Sequence, residues 1–117
     1  MRRSGSYKLL FQLVPAGSSA ASRKTNGTGE QPEVLLIDRD KIVIGRSSAS
    51  DVVVDFPDVS RQHASLIVSG QGVLLKDLRS TNGTFLNGER VIAEMLLENG
   101  DEIRLGSSVR FIFQEDE

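Results

Sequence analysis

The chain has 117 residues, 38% hydrophobic and 26% charged, with 14 Lys and Arg against 16 Asp and Glu for a formal net charge of −2. That length supports one domain around one core, and well-mixed charges without a basic stripe exclude a sequence-independent nucleic-acid binder. The absence of cysteine and a single histidine, His63, exclude disulfides, thiolate chemistry and a multi-histidine metal site.

Residues 1–6 read as a flexible start. The apolar stretch after Met1-Arg2-Arg3 is short, broken by Gln12 and ended by Pro15, which does not make a signal peptide. No run approaches membrane-spanning length. The expectation is a soluble intracellular chain with no membrane contact, cytoplasmic, or nuclear in a eukaryote. Tyr7 to Val14 alternates, with Tyr7, Leu9, Phe11 and Leu13 on one face and Lys8 and Gln12 on the other, a period of two that predicts a strand. From Pro15 to Pro32 the chain turns to Gly, Ser, Thr, Asn and Ala with the basic pair Arg23-Lys24. This segment, 15–32, is too polar and small to bury anything and predicts a mobile loop insertion.

Strands follow over Val34 to Ile37, Lys41 to Gly45 and Val52 to Val54, then a loop over Asp55 to Asp58 with Pro57. His63 to Ser69 alternates with Ala64, Leu66 and Val68 inward, and Val73 to Leu78 returns after the turn Gly70-Gln71-Gly72. Leu78 to Gly88 holds two Asn-Gly pairs flanking Thr84, Phe85 and Leu86, and Asn-Gly is the strongest short-range turn signal. Further short segments run over Glu89 to Ile92, Met95 to Leu97 (one helical turn at most), Glu102 to Leu105 and Val109 to Phe113, before an acidic tail, 115–117. Around ten β-rich segments between Gly, Asn, Asp and Ser turns predict an antiparallel all-β sandwich or barrel over 7–114.

Four polar groups have no packing role in this pattern: Arg46, Ser60-Arg61-Gln62-His63, Ser80-Thr81-Asn82, and Asn87. All fall at strand ends or in loops, where a rigid sandwich presents binding residues. If those loops gather at one end, guanidiniums, hydroxyls and an amide converge. That inventory is rich in donors and poor in carboxylates, and it suits a phosphate dianion.

Gly45-Arg46, Ser60-Arg61-Gln62-His63 and Ser80-Thr81-Asn82-Gly83, in that order and spacing, resemble the signature of the forkhead-associated (FHA) domain family. Asp51 and the run Thr84 to Gly88 fit as well. The resemblance implies a β-sandwich of about eleven short strands whose loops bind phosphothreonine in an extended peptide. It implies that Arg46 and Ser60 contact the phosphate, Arg61 lies beside phosphate or peptide, Thr81 adds a hydroxyl, and Asn82 bonds the peptide backbone. Gly45, His63 and Gly83 are then structural support. The 15–32 insertion departs from the family pattern.

The implied partner is a Thr-phosphorylated protein or peptide in kinase signalling, with no nucleic acid, cofactor or metal, and the domain is expected to be a monomer and not an enzyme. Docking of a phosphorylated residue of the insertion, on a second copy or on its own site, is the less favoured alternative. A phosphate-independent interaction domain of the same fold is one rival. A small hydrolase with Ser60 or Thr81 as nucleophile is another, made remote by the absence of a paired base within reach, since His63, three residues from Ser60 on extended chain, points to the opposite face.

Overall fold

Apolar side chains at alternate positions decide which face of each strand is buried. The structure, a computed structural model, describes residues 6–13 and 33–116; the expected 15–32 insertion lies outside the described residues. Among the described residues eleven strands result: β1 (Ser6–Leu13), β2 (Glu33–Ile37), β3 (Lys41–Gly45), β4 (Val52–Val53), β5 (Ala64–Ser69), β6 (Gly72–Asp77), β7 (Thr84–Leu86), β8 (Glu89–Arg90), β9 (Met95–Leu96), β10 (Glu102–Leu105) and β11 (Val109–Asp116). They form a six-stranded sheet, β2-β1-β11-β10-β7-β8, and a five-stranded sheet, β4-β3-β5-β6-β9.

The two inner faces meet in a core containing Leu9, Ile44, Leu66, Val73, Leu75, Ile103, Leu105, Phe111 and Phe113, all fully buried. Leu9 pairs with Phe113 and Phe11 with Phe111 in the β1–β11 register, and ring contacts of 5.7 Å (Tyr7–Phe113) and 5.4 Å (Phe11–Phe111) cement that pair of strands. β11 runs on through Asp116 because β1 continues to pair with it down to Ser6, so the acidic end of the chain is partly strand. Met95 and Leu96 form no helical turn; they pair with Leu75 and Leu74 as an edge strand.

One pairing departs from the antiparallel expectation: β4 runs parallel to β3. Asp51 is the physical reason. Its Oδ2 accepts the Val43 N–H at 2.8 Å and its Oδ1 accepts from Arg39 at 2.9 Å. The chain is thus drawn back along β3 before Val52 and Val53 run forward beside Ile44 and Gly45. Of the two Asn-Gly pairs within Leu78 to Gly88, Asn87-Gly88 is the hairpin turn with positive φ at both residues, 52° and 90°, joining β7 to β8. The other pair has positive φ at Gly83 alone, 93°, and belongs to a different construction.

Candidate functional site

The first half of the site is built on the end of β3. The backbone of Arg61 and Gln62 crosses so close to Gly45 that a Cβ there would lie 2.0 Å from the Arg61 carbonyl oxygen. The approach is stitched by Arg46 N–H to Ser60 O (2.9 Å), Ser47 N–H to Arg61 O (3.2 Å) and His63 N–H to Ile44 O (2.9 Å). Arg46 also donates from Nε to Val59 O at 2.9 Å. Its stem is therefore fixed, while both terminal nitrogens have no partner among the described residues.

The second half is the turn after β6. The Asp77 carboxylate accepts from the Ser80 N–H (3.1 Å), the Ser80 hydroxyl (2.6 Å) and the Thr84 hydroxyl (2.6 Å). Burial alone would raise its pKa, but these hydrogen bonds, helped by His63, hold the carboxyl below its ordinary value. The Ser80 hydroxyl in turn accepts the Gly83 N–H at 2.9 Å. Ser80 and Thr84 are buried and shape the turn, which leaves Thr81 and Asn82 exposed at its tip.

Three contacts lock the halves together. The His63 ring, fully buried, accepts the Ser60 N–H at Nδ1 (3.1 Å) and lies 2.9 Å from Gly83 O through Nε2. An acceptor at Nδ1 puts the proton on Nε2, which donates to that carbonyl. The Thr81 N–H donates to the Ser60 hydroxyl at 3.0 Å, leaving the Ser60 proton free to be given outward. Asn82 Nδ2 donates to Asp58 O at 2.9 Å. Asp58 is anchored beneath by the N–H and hydroxyl of Ser107 at 2.8 and 3.1 Å. Burial would raise its pKa, yet the bonds from Ser107 and Ser108 hold it below the ordinary value.

Arg46, Ser60, Arg61, Thr81 and Asn82 consequently line one open cleft of about 280 Å³, together with Pro57 and Val59. No carboxylate among the described residues lines it. Gly45, His63 and Gly83 lie behind it, in the contacts above. Two expectations are corrected. Asn87 does have a packing role, since its amide bonds Asp101 Oδ1 (3.0 Å) and the Glu102 N–H (2.9 Å), tying the hairpin turn to β10 away from the cleft. Ser60 and His63 are also not on opposite faces, because the chain bends between them. The ring meets the Ser60 backbone rather than its hydroxyl, however, and with both ring nitrogens engaged it has no site left to act as a base. The roles of Asp58 and Asp77 went unread in the sequence; in Asp77-x-x-Ser80 after a strand the carboxylate can accept from the backbone and hydroxyl three residues on, a capping spacing that signals the second of them.

The buried imidazole sets a pH dependence. Desolvation, the largest influence, pushes the His63 pKa below 6.5 against the Gly83 bond and the charges of Asp77 and Asp58. Below about pH 6.5 the unfolded chain binds a proton that the folded chain refuses, so stability is full above that pH and falls as pH drops, by up to about 1.4 kcal/mol per pH unit. The depressed Asp58 and Asp77 contribute stability that is lost only below about pH 4. Denaturant unfolding at pH 7, 6 and 5 is expected to show a falling midpoint, and His63→Gln a flatter profile from a lower start. Equal slopes in both proteins would rule out His63 as the sensor.

Among the described residues no helix is long and apolar enough to cross a membrane, and no group of three His, Cys, Asp or Glu could hold a metal ion.

The model of the FHA domain matches residues 42–106, a span containing every residue of the cleft. The DNA damage response protein kinase DUN1 of Saccharomyces cerevisiae is 35% identical over 94 residues, which is 74% of this chain and 18% of the kinase. A structure from an analysis of phosphothreonine-dependent FHA domain interactions superposes with a TM-score of 0.69 at 33% identity, covering 93% of this chain and 95% of that one. EmbR of Mycobacterium tuberculosis, in complex with a low-affinity phosphopeptide, matches with a TM-score of 0.69 at 27% identity, over 92% of this chain and 24% of EmbR. The chain thus spans less than a fifth of the kinase and about a quarter of EmbR.

Proposed function

The chain belongs to the FHA domain family, and on that premise we propose that it binds phosphothreonine in an extended segment of a partner protein, as an interaction module of kinase signalling. FHA domains are protein-interaction modules, and the kinase name of the yeast relative belongs to a protein of which this chain matches only 18%. The proposed working unit is a monomer inside the cell, without catalytic activity of its own.

One observation carries the proposal: a cleft between two interlocked loops is lined by two guanidiniums, two hydroxyls and one amide, with no carboxylate among the described residues. Phosphothreonine brings a charge of about −1.5 to −2 and three acceptor oxygens. Arg46 offers its two terminal nitrogens to the phosphate, and Ser60 offers the hydroxyl proton that Thr81 N–H does not use. Arg61 and Thr81 flank the phosphate. Asn82 holds the peptide backbone with the part of its amide not spent on Asp58.

Calorimetric titration with matched phosphothreonine, phosphoserine and unmodified peptides tests the proposal. The expected result is no measurable binding without phosphate and weaker binding of phosphoserine by about 10–200-fold, the worth of one methyl in a fitted pocket. Equal affinity for phosphorylated and unmodified peptides would leave the phosphate-independent interaction domain as the answer.

Asn82→Ala removes both a ligand contact and the clamp on Asp58. Affinity is expected to fall for every phosphopeptide, since backbone is what Asn82 reads, with a loss of about 1 kcal/mol in stability. A loss confined to particular peptide sequences would count against that role.

A further inference from the structure

Along the outer face of the six-stranded sheet runs a charge pattern that works against the fold. Ile103 and Leu105 of β10 and Val109 and Phe111 of β11 point into the core, so Arg104 and Arg110 point out. Register sets Arg90, Phe85, Arg104 and Arg110 in one row across β8, β7, β10 and β11. Arg104 and Arg110 are thus directly opposite, and like charges so placed destabilise a sheet. Arg110 is compensated, since its Nη1 donates to Glu102 Oε2 at 3.0 Å and its Nε to Gln12 Oε1 at 2.9 Å. Arg104 has no such relief. Its Nε is buried without a hydrogen-bond partner, which is itself destabilising, and it forms no ion pair among the described residues.

The Arg104 guanidinium carbon lies 5.4 Å from the centre of the Phe85 ring, an attraction that offsets only part of that cost. Arg90 is exposed and has no ion-pair or hydrogen-bond partner among the described residues. The strands of Arg90 and Arg104 flank β7, which sets them about 10 Å apart. The next row holds Glu102, Ile112, Leu10 and Val34. Its one carboxylate is already held by Arg110, and Val34 is 52% exposed. Sequences keep locally unfavourable arrangements chiefly where function uses them.

We propose that this face docks an acidic segment of a partner protein, with carboxylates on Arg104 and Arg90 and an apolar residue on the strip beside them. Charge complementarity selects the occupant: three arginines face a single carboxylate that is already paired. An extended segment covers the distance between the two strands in about three residues. A nucleic acid has the right sign of charge, but a chain of net charge −2 repels a long polyanion, which favours a short acidic segment. None of these residues lines the cleft of Arg46 and Asn82, so the proposal stands apart from phosphothreonine binding.

The test titrates the domain with an unphosphorylated peptide of glutamates around one leucine, with its glutamine counterpart, and with a single-stranded oligonucleotide of equal charge. The glutamate peptide is expected to bind about fivefold or more tighter than the glutamine peptide, and less tightly as salt rises. Amide chemical shifts are expected to move at Phe85, Arg104 and Ile112, with Ser60 and Thr81 still, and a saturating neutral-flank phosphothreonine peptide is expected to leave the binding unchanged. Arg104→Met keeps the stem over Phe85 while removing the opposed charge and the unmet donor. It is expected to lose about fivefold or more in affinity while melting no lower than wild type, whereas an arginine that served the fold would lower the melt on removal. Arg90→Gln, at an exposed position, is expected to weaken binding about twofold. Absent binding, shifts confined to the loop cleft, displacement by the phosphothreonine peptide, tighter binding of the oligonucleotide, or Arg104→Met that keeps its affinity or melts lower each overturns the proposal. All of them leave phosphothreonine binding standing.

Discussion

Replacing Arg46 by alanine is expected to weaken phosphopeptide binding tenfold or more while the domain stays folded. Removing one partner of a desolvated charge pair costs about 2–5 kcal/mol, and the open position of Arg46 at the cleft rim favours the lower end. The side chain has one internal obligation, the Nε bond to Val59 O at 2.9 Å. Its loss is worth on the order of 1 kcal/mol, or about 4 °C in melting temperature. Arg46→Lys separates charge from geometry: lysine keeps the cation but cannot bond Val59 and grip two phosphate oxygens with one planar group, so it should recover only part of the affinity. Titration of the folded variants decides the matter, and undiminished affinity in Arg46→Ala would remove this residue from the site.

The largest effect on stability is expected from Gly45→Ala. A Cβ at this position would stand 2.0 Å from the Arg61 oxygen, 2.7 Å from its carbonyl carbon and 3.0 Å from the Gln62 Cα. These are backbone atoms, so no side chain can swing aside. Relief requires parting β3 from the 60–63 segment, and with it the bonds from Arg46 N–H to Ser60 O and from His63 N–H to Ile44 O. Overpacking costs about 1–3 kcal/mol and occasionally more, and the immobile obstacle argues for the upper end, near 10 °C in melting temperature. Because Ser60 and Arg61 move with that segment, phosphopeptide affinity should fall as well. A melt within about 2 °C of wild type would show that the close approach is not required.

The residues that line the candidate site and those that brace it differ in how they could be read beforehand. Arg46, Ser60, Arg61, Thr81 and Asn82 stood out among polar residues at the ends of alternating apolar runs with no core to serve, and the resemblance to the FHA family narrowed that wider group to these five candidates. Asp77 and Asp58 did not, since an aspartate after a strand and one after a proline look like ordinary turn residues. Only the three bonds to Asp77 and the Ser107 contact of Asp58 reveal what they hold. Asn87 erred in the other direction: an Asn-Gly pair beside a binding turn looks like part of it, until its amide is seen to serve β10.

By itself the sequence determined the all-β character and the strand positions, since side-chain period and turn residues are local properties that short-range sterics settle. It also determined the chemistry on offer, with arginine and hydroxyl donors set at loop positions. The tertiary structure alone decided that Arg46, Ser60 and Asn82 face one cleft and that His63 clamps Ser60 to Gly83. Those are relations between segments up to some forty residues apart, and nothing in a local pattern encodes the packing of two sheets that closes the distance.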